Sequence, residues 1–279
     1  MSSISNYYTN NFGPWAVVAG ASEGIGASYA KELARKGLNI ILIARTKEAL
    51  DELSNYITNN YKVQVKVIQL DLSTENFLEI LISKISDLEI GFLVFNAALS
   101  PIGLFHNASM ELHNKVIDLN CRAPMQMTHY FGKKMMERGK GGILLMSSLA
   151  GLQGNPIHAH YSATRAYNIN LAEGLWDEMR SKGIKVMVCL AGPTKTPNYK
   201  RSEPNDKGIV SSIAMNPDDV AKEAIRKFRR IRKPIFIAGK MNRFSTFILQ
   251  HFLSRKSRVK FMGRTAKNMY GEEKNYSNK

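Results

Sequence analysis

Three observations predict an α/β fold, a doubly wound parallel sheet of seven strands with helices on both faces. Short apolar runs alternate with stretches of helical spacing. The runs are apolar on both sides, as parallel strands covered from above and below must be. A glycine-rich turn joins the first run to the first helix. At 279 residues and 44% hydrophobic content, the chain is long enough to bury a sizeable core.

The elements follow in order. The first strand, 15–20 (WAVVAG), runs through its glycine turn into a helix over 25–36, and Gly37 ends that helix ahead of strand 39–44 (NIILIA). A helix over 47–59 leads to strand 63–70, and strand 91–96 (GFLVFN) is the fourth. The long helical pattern 110–138 precedes strand 142–148 (GILLMSS). Helix 159–182 with Gly183 precedes strand 184–191, and helix 217–230 precedes strand 234–238. Strands and helices in alternation imply right-handed βαβ crossovers. Residues 194–216 are polar and rich in Pro, Asn and Ser, and a loop of that length suits a substrate lid. The division expected is one domain over 1–240 and a basic, helical C-terminal extension over 241–279. In that extension Phe244, Phe247, Ile248, Phe252, Leu253, Val259, Phe261 and Met262 alternate with Arg243, His251, Arg255, Lys256, Arg258 and Lys260.

The net charge of +16 is uneven. Residues 221–279 hold seventeen Lys/Arg against three acids, Glu223, Glu272 and Glu273, while residues 1–220 are nearly neutral. Such an end suits an acidic partner, whether a membrane surface, a polyanionic substrate or nucleic acid, and equally a solvated helical face. The extension can lie on an anionic membrane, pack over a substrate cleft or form a dimer contact. Nucleic acid is the least favoured partner, because no recognition motif is present and the aromatics follow helical spacing. No apolar run reaches the roughly 18 residues of a spanning helix, and the start MSSISNYYTNN has neither a basic n-region nor an apolar h-region. Cys121 and Cys189 sit in apolar surroundings and are expected as buried thiols in a reducing compartment. A cytoplasmic protein is expected, with peripheral contact at a membrane surface as the alternative.

The turn Gly20-Ala21-Ser22-Glu23-Gly24-Ile25-Gly26 lies between an apolar strand and an amphipathic helix, the setting of a Rossmann-type dinucleotide site. The first glycine permits the tight turn, the second admits pyrophosphate close to the backbone, and the third lets helix pack on strand. Unpaired N–H groups at the helix start then face the phosphate charge. Strand 39–44 is followed by Arg45, where an acid would favour NAD; the guanidinium can pair with a 2′-phosphate, which favours NADP(H). Glu23 opposes that preference if it faces inward. Asp71, followed by Leu72 at the close of the third strand, can accept a hydrogen bond from the adenine amino group.

Carbonyl reduction requires a proton donor beside the carbonyl oxygen, and a tyrosine serves when a nearby cation favours its ionised form. Tyr161 and Arg165 have the i, i+4 spacing that puts both on one helix face. Ser148 ends a strand at the sheet's carboxyl edge, where open α/β sheets bind ligands. His158 and His160 have no accompanying carboxylate or cysteine cluster, so they read as pocket wall, and no metal is expected.

These segments together resemble the short-chain dehydrogenase/reductase family over about residues 14–240. The likeness rests on Gly20/Gly24/Gly26, Asp71-Leu72, Asn96-Ala97-Ala98 where the family has Asn-Ala-Gly, Asn120, Met146-Ser147-Ser148, Tyr161 thirteen positions after Ser148, and Gly192-Pro193-Thr194-Lys195-Thr196. The stretch GASEGIGASYAKELARKGLNIILIAR is similar to the 3-oxoacyl-CoA reductase and 17β-hydroxysteroid dehydrogenase branch, which implies NADPH-dependent reduction of a hydrophobic acyl or steroid ketone. The resemblance implies Tyr161 as general acid, Ser148 as holder of the substrate oxygen and Asn120 as anchor of a relay water. It also implies residue 165 at the nicotinamide ribose, and Asn96 and the 192–196 loop around the nicotinamide. A homodimer or homotetramer through the long helix is implied as well. Three positions depart from the family: Ala98 for glycine, Ala191 for the proline before Gly192, and Arg165 for lysine. Arginine keeps the charge but is bulkier and does not pass on a proton. Three outcomes stay open: a slower reductase, a dinucleotide-binding protein with little or no turnover, and a fold kept for interaction.

Overall fold

The computed structural model describes residues 3–202 and 213–271. Seven strands, β1 (Trp15–Ala19), β2 (Asn39–Ala44), β3 (Val65–Gln69), β4 (Ile90–Phe95), β5 (Gly141–Ser148), β6 (Ile184–Ala191) and β7 (Ile235–Ile237), form one sheet. Their order is β3-β2-β1-β4-β5-β6-β7, with every neighbouring pair parallel. The order reverses between β1 and β4, so a crevice opens beyond their carboxyl ends.

The helices are α1 (Ser3–Phe12), α2 (Gly24–Arg35), α3 (Lys47–Asn60), α4 (Phe77–Ile85), α5 (Met110–Ile117), α6 (Ala123–Arg138), α7 (Ala159–Arg180), α8 (Pro197–Arg201), α9 (Pro217–Phe228), α10 (Lys240–Phe252) and α11 (Arg255–Tyr270). Alternation along each strand divides the core in two. Ala16, Val18, Ile40 and Leu42 face α1, α2, α3 and α9. Val17, Ile41, Ile43 and Leu145 face α4, α6 and α7 on the other side. The expected doubly wound architecture is therefore present.

Several local expectations change. β3 is an edge strand, with Ile68 its one buried side chain and Gln69 exposed, so it is not covered on both faces. Two helices stand outside the elements assigned from the sequence. α1 is rich in Asn, Ser, Thr and Tyr, poor helix formers. It is held from outside itself, by Tyr8 and Phe12 against Phe92 and Phe228, with ring centroids 5.1 Å apart for Phe12–Phe92 and 5.6 Å for Phe12–Phe228. Burial of each such ring contributes about 2–3 kcal/mol, enough to override propensity. α4 fills the short connection from β3 to β4 and buries Phe77, Leu81 and Ile85. The pattern 110–138 is not one helix, because Asp118–Arg122 winds as a π-helix between α5 and α6.

The expected loop 194–216 holds α8 and a parallel bridge from Thr194 to Met215; residues 203–212 lie outside the described residues. The extension forms the hairpin α10–α11, and residues 272–279 of it lie outside them as well. Both cysteines are free. Cys189 is buried as expected, but Cys121, in the π turn, is only partly so.

Candidate functional site

At the switch point, Gly20 adopts φ +79° and its N–H donates to Ile43 O at 2.8 Å. A Cβ there would lie 2.6 Å from the Ala97 backbone. At Gly26 a Cβ would fall 1.9 Å from Gly20 O, so α2 rests directly on the turn. Asn96 Nδ2 donates to Gly20 O at 3.0 Å, and the Asn96 and Ala97 N–H groups both donate to Ala19 O, tying β4 to the turn. Ser22 and Ile25 flank the helix start, with Glu23 as its N-cap residue. Its side chain makes no capping bond. Instead the Glu23 carboxylate pairs with both terminal nitrogens of Arg201 on α8, one of them at 3.0 Å. Thr196 lies against Gly24 from the same loop and caps α8, accepting from Tyr199 N at 3.1 Å. The loop after β6 thus closes over the glycine turn, an ion pair across 178 residues that local sequence gives no sign of.

The rest of this half is looser. Arg45 is exposed just past β2. Asp71 Oδ1 accepts from Ser73 N at 2.9 Å and Ser73 Oγ at 2.7 Å. Burial pushes the Asp71 carboxyl up, but the Ser73 hydrogen bonds and the charges of Lys115 and Arg45 outweigh it and hold it below the usual carboxylate range. Leu72 is core. Thr194 Oγ1 donates to Gly192 O at 3.0 Å, and Lys195 N and Pro193 O pair with the Met215 backbone, so the 192–196 loop is braced internally and against Met215.

The other half is built on β5 and α7. Ser148 ends β5, and its Oγ accepts from Ala150 N at 3.2 Å. Ser147 points the other way and donates to Arg165 O at 2.8 Å, fastening α7 to the sheet. Asn120 sits in the π turn and is fully buried. Such single-turn irregularities re-aim a side chain that a regular helix would carry elsewhere. Its Oδ1 accepts from Leu99 N at 2.8 Å; its Nδ2 donates to Leu99 O at 2.8 Å and to Thr164 Oγ1 at 3.0 Å. Both amide hydrogens are used, which leaves one Oδ1 lone pair for any water. Ala98 is exposed beside this clasp.

Arg165 is 3% exposed, with its guanidinium carbon 5.1 Å from the Tyr161 ring centroid. Nη1 donates to Met146 O at 3.2 Å, while Nε and Nη2 have no partner. Burial lowers its pKa, against the pull of Tyr161 and Cys121. Among the described residues no carboxylate pairs with it. Buried guanidinium donors are normally satisfied. Two enclosed, unpartnered donors beside Tyr161 fit hydroxyl groups of a ribose bound against them, and the narrow turn at Gly20 and Gly26 fits a pyrophosphate. His158 stands between the rings of Tyr161, at 6.3 Å, and Tyr270 of α11, at 5.4 Å. Burial pushes its pKa down to about 4. His160 Nδ1 lies 2.8 Å from His113 Nδ1, with His113 stacked on Phe105. These partners at 105 and 113 are contacts that sequence reasoning missed.

The family model described as short chain dehydrogenase matches residues 14–207. The chain is 32% identical over 236 residues to a 7β-hydroxysteroid dehydrogenase of Clostridium sardiniense, covering 85% of this chain and 89% of that protein. It is 38% identical over 185 residues to very-long-chain 3-oxoacyl-CoA reductase-B of Danio rerio, covering 65% of this chain and 60% of that one. Among solved structures, a short-chain dehydrogenase from Sphingobium yanoikuyae in complex with NADPH superposes with a TM-score of 0.74 at 29% identity, over 84% of this chain and 92% of that one.

Proposed function

The chain belongs to the short-chain dehydrogenase family, and on that premise we propose an NADP(H)-dependent oxidoreductase that reduces the carbonyl of a hydrophobic ketone, 3-oxoacyl or steroid-like, or oxidises the alcohol. The observation that carries the reading is the buried Arg165 cation beside Tyr161 with two N–H groups unpartnered. NADP(H), when bound, supplies or accepts the hydride. Tyr161 donates the proton to the carbonyl oxygen, and Ser148 holds that oxygen by a hydrogen bond. The Arg165 cation, its guanidinium carbon 5.1 Å from the Tyr161 ring centroid, offers a positive charge to the oxygen that the proton leaves. Its free donors hold the ribose hydroxyls. Asn120 keeps the Leu99 loop and, through Thr164, the Tyr161 helix in register. Gly20, Ser22, Glu23, Gly24, Ile25 and Gly26 cradle the pyrophosphate. Asp71 and Leu72 flank the adenine, and Asn96, Ala97, Ala98, Gly192, Pro193, Thr194 and Thr196 surround the nicotinamide.

NADP(H) over NAD(H) is supported by Arg45 and by the Glu23–Arg201 pair, which neutralises the acid that would otherwise repel a 2′-phosphate. A homodimer or homotetramer is part of the same proposal, with the exposed Met125 and Met136 of α6 at a subunit contact. So is the division into a domain over 1–240 and an extension over 241–279. A second reading is a dinucleotide-binding protein with little turnover. It is favoured by the Arg165 bond to Met146 O and by a guanidinium that keeps its proton.

The test is NADPH binding and oxidation by the purified protein against a panel of hydrophobic ketones, beside Arg165→Lys. Turnover by the natural protein establishes the reductase. Binding without turnover, rescued in the variant, establishes the quenched binder. Failure of both forms to bind NADPH overturns the proposal.

A further inference from the structure

The helix α10 is inside out. Its inward face buries two polar residues one turn apart, Asn242 (1% exposed) and Thr246. Asn242 Nδ2 donates to Ala238 O at 2.9 Å and lies against Gly192, so this face is rooted in the loop after β6. The outward face carries Met241, Phe244 (63% exposed), Phe247, Ile248 and Phe252 (72% exposed), and Phe261 of α11 is exposed as well. Soluble chains rarely expose so many large apolar side chains together unless something covers them.

Charge decides what the cover is. Residues 240–271 hold eight Lys/Arg and no Asp or Glu. Lys240, Arg255, Lys256, Lys260, Arg264 and Lys267 are exposed, while Arg243 is tied back to Glu223 at 3.3 Å. A two-fold contact with a second copy through this face would set one such set of cations against another, with no acid among residues 240–271 of either copy. No helix among the described residues is long and apolar enough to cross a membrane. Apolar side chains flanked by cations on a helix lying flat are the composition that partitions into the interface of an anionic bilayer.

We propose that the α10–α11 hairpin docks this protein on an anionic lipid surface, with the Phe244/Phe247/Phe252 face in the acyl boundary and the cations at the headgroups. The same hairpin reaches the catalytic half: Gly263 of α11 lies against Pro156, and Tyr270 meets the His158 ring edge-on. Docking would therefore bring the hairpin that contacts the segment leading to Tyr161 down to the lipid surface. A ketone dissolved in the bilayer would enter from that side. Docking requires no turnover, so it stands or falls independently of the reductase reading.

The experiment is co-sedimentation of the full-length protein with vesicles of phosphatidylcholine alone or with about one third phosphatidylserine. Two variants are run alongside: Phe244→Ser/Phe252→Ser, and Arg255→Gln/Lys256→Gln/Lys260→Gln. These positions are exposed, so both variants are expected to fold, as circular dichroism would verify. The natural protein should bind the anionic vesicles and not the neutral ones, with binding lost in high salt. Each removed cation should weaken binding roughly fivefold, for about a hundred-fold in the triple variant, and the serine variant should fail to bind. Equal binding to both vesicles, or to neither, overturns the proposal. So does a dimer in sedimentation that dissociates in the serine variant while no vesicle is bound, because a second copy then covers the face.

Discussion

Replacing Arg165 by methionine should slow catalysis and stabilise the fold at once. Methionine reaches about as far as the Arg165 Nε, is apolar and lacks the charge. With the cation beside the Tyr161 ring, loss of one charge-assisted interaction of about 1.5–3 kcal/mol corresponds to a fall in kcat for ketone reduction of about tenfold to two-hundred-fold. KM for NADPH should rise as well, because the free Nε and Nη2 donors go with the charge. Stability should move the other way. A guanidinium with one carbonyl partner and no carboxylate is a buried, uncompensated charge, and apolar replacement of buried charge is often neutral or stabilising by 1–4 kcal/mol. Against this stands the Met146 carbonyl, which loses its partner at a cost of about 1–3 kcal/mol. A net gain of about 1 kcal/mol would raise Tm by about 3 °C in a chain of this size. The assay pairs NADPH oxidation followed by absorbance with urea and thermal unfolding of both proteins. A variant that keeps its kcat, or that loses stability and activity together, would show that Arg165 is a structural residue and refute the reasoning.

Three further outcomes are expected. His158, with its pKa depressed to about 4, stays neutral in the folded state at pH values where the unfolded chain binds a proton. Stability should therefore fall as pH drops from 6.5 to 4, by up to about 3 kcal/mol, with urea titrations of His158→Phe losing that dependence. Arg45→Ala should weaken NADPH about tenfold to a hundred-fold and leave NADH within a few-fold, as expected for one charge-assisted contact to the 2′-phosphate; equal losses for both dinucleotides would remove Arg45 from cofactor choice. Gly26→Ala sets a methyl carbon 1.9 Å from Gly20 O and should cost about 1–3 kcal/mol of stability together with dinucleotide binding, read by fluorescence titration.

Much of this architecture was legible in the chain. Apolar runs such as NIILIA and IKVMVCLA are held by the sheet on both sides, so their composition announces them. The glycine turn was legible for the same reason: the backbone geometry at Gly20 and the contact at Gly26 admit no other residue cheaply. Elements whose stability comes from distant partners were not. α1 depends on rings from β4 and α9, and the π turn at Asp118–Arg122 interrupts an amphipathic pattern that continues undisturbed in the sequence. In the candidate site, residue types could be named from spacing, but Arg201 opposite Glu23 and Asn120 around Leu99 are long-range contacts. The C-terminal hairpin was legible as amphipathic, yet not which side faces out, because a helical stripe reads the same from either direction.

The Asn120 side chain, finally, behaves as a peptide group grafted into the helix. It offers Leu99 one acceptor and one donor, each at 2.8 Å, as a neighbouring strand would. β4 ends at Phe95, but the chain beyond it is paired once more, by a surrogate ladder rung that the helix supplies. Such a rung has strict chemical grammar. Aspartate would turn the donor into an acceptor facing the Leu99 carbonyl, leucine would strand both peptide groups, and glutamine would overshoot by a methylene. The position is thus closed to drift for reasons of backbone pairing alone, whatever else the site asks of it.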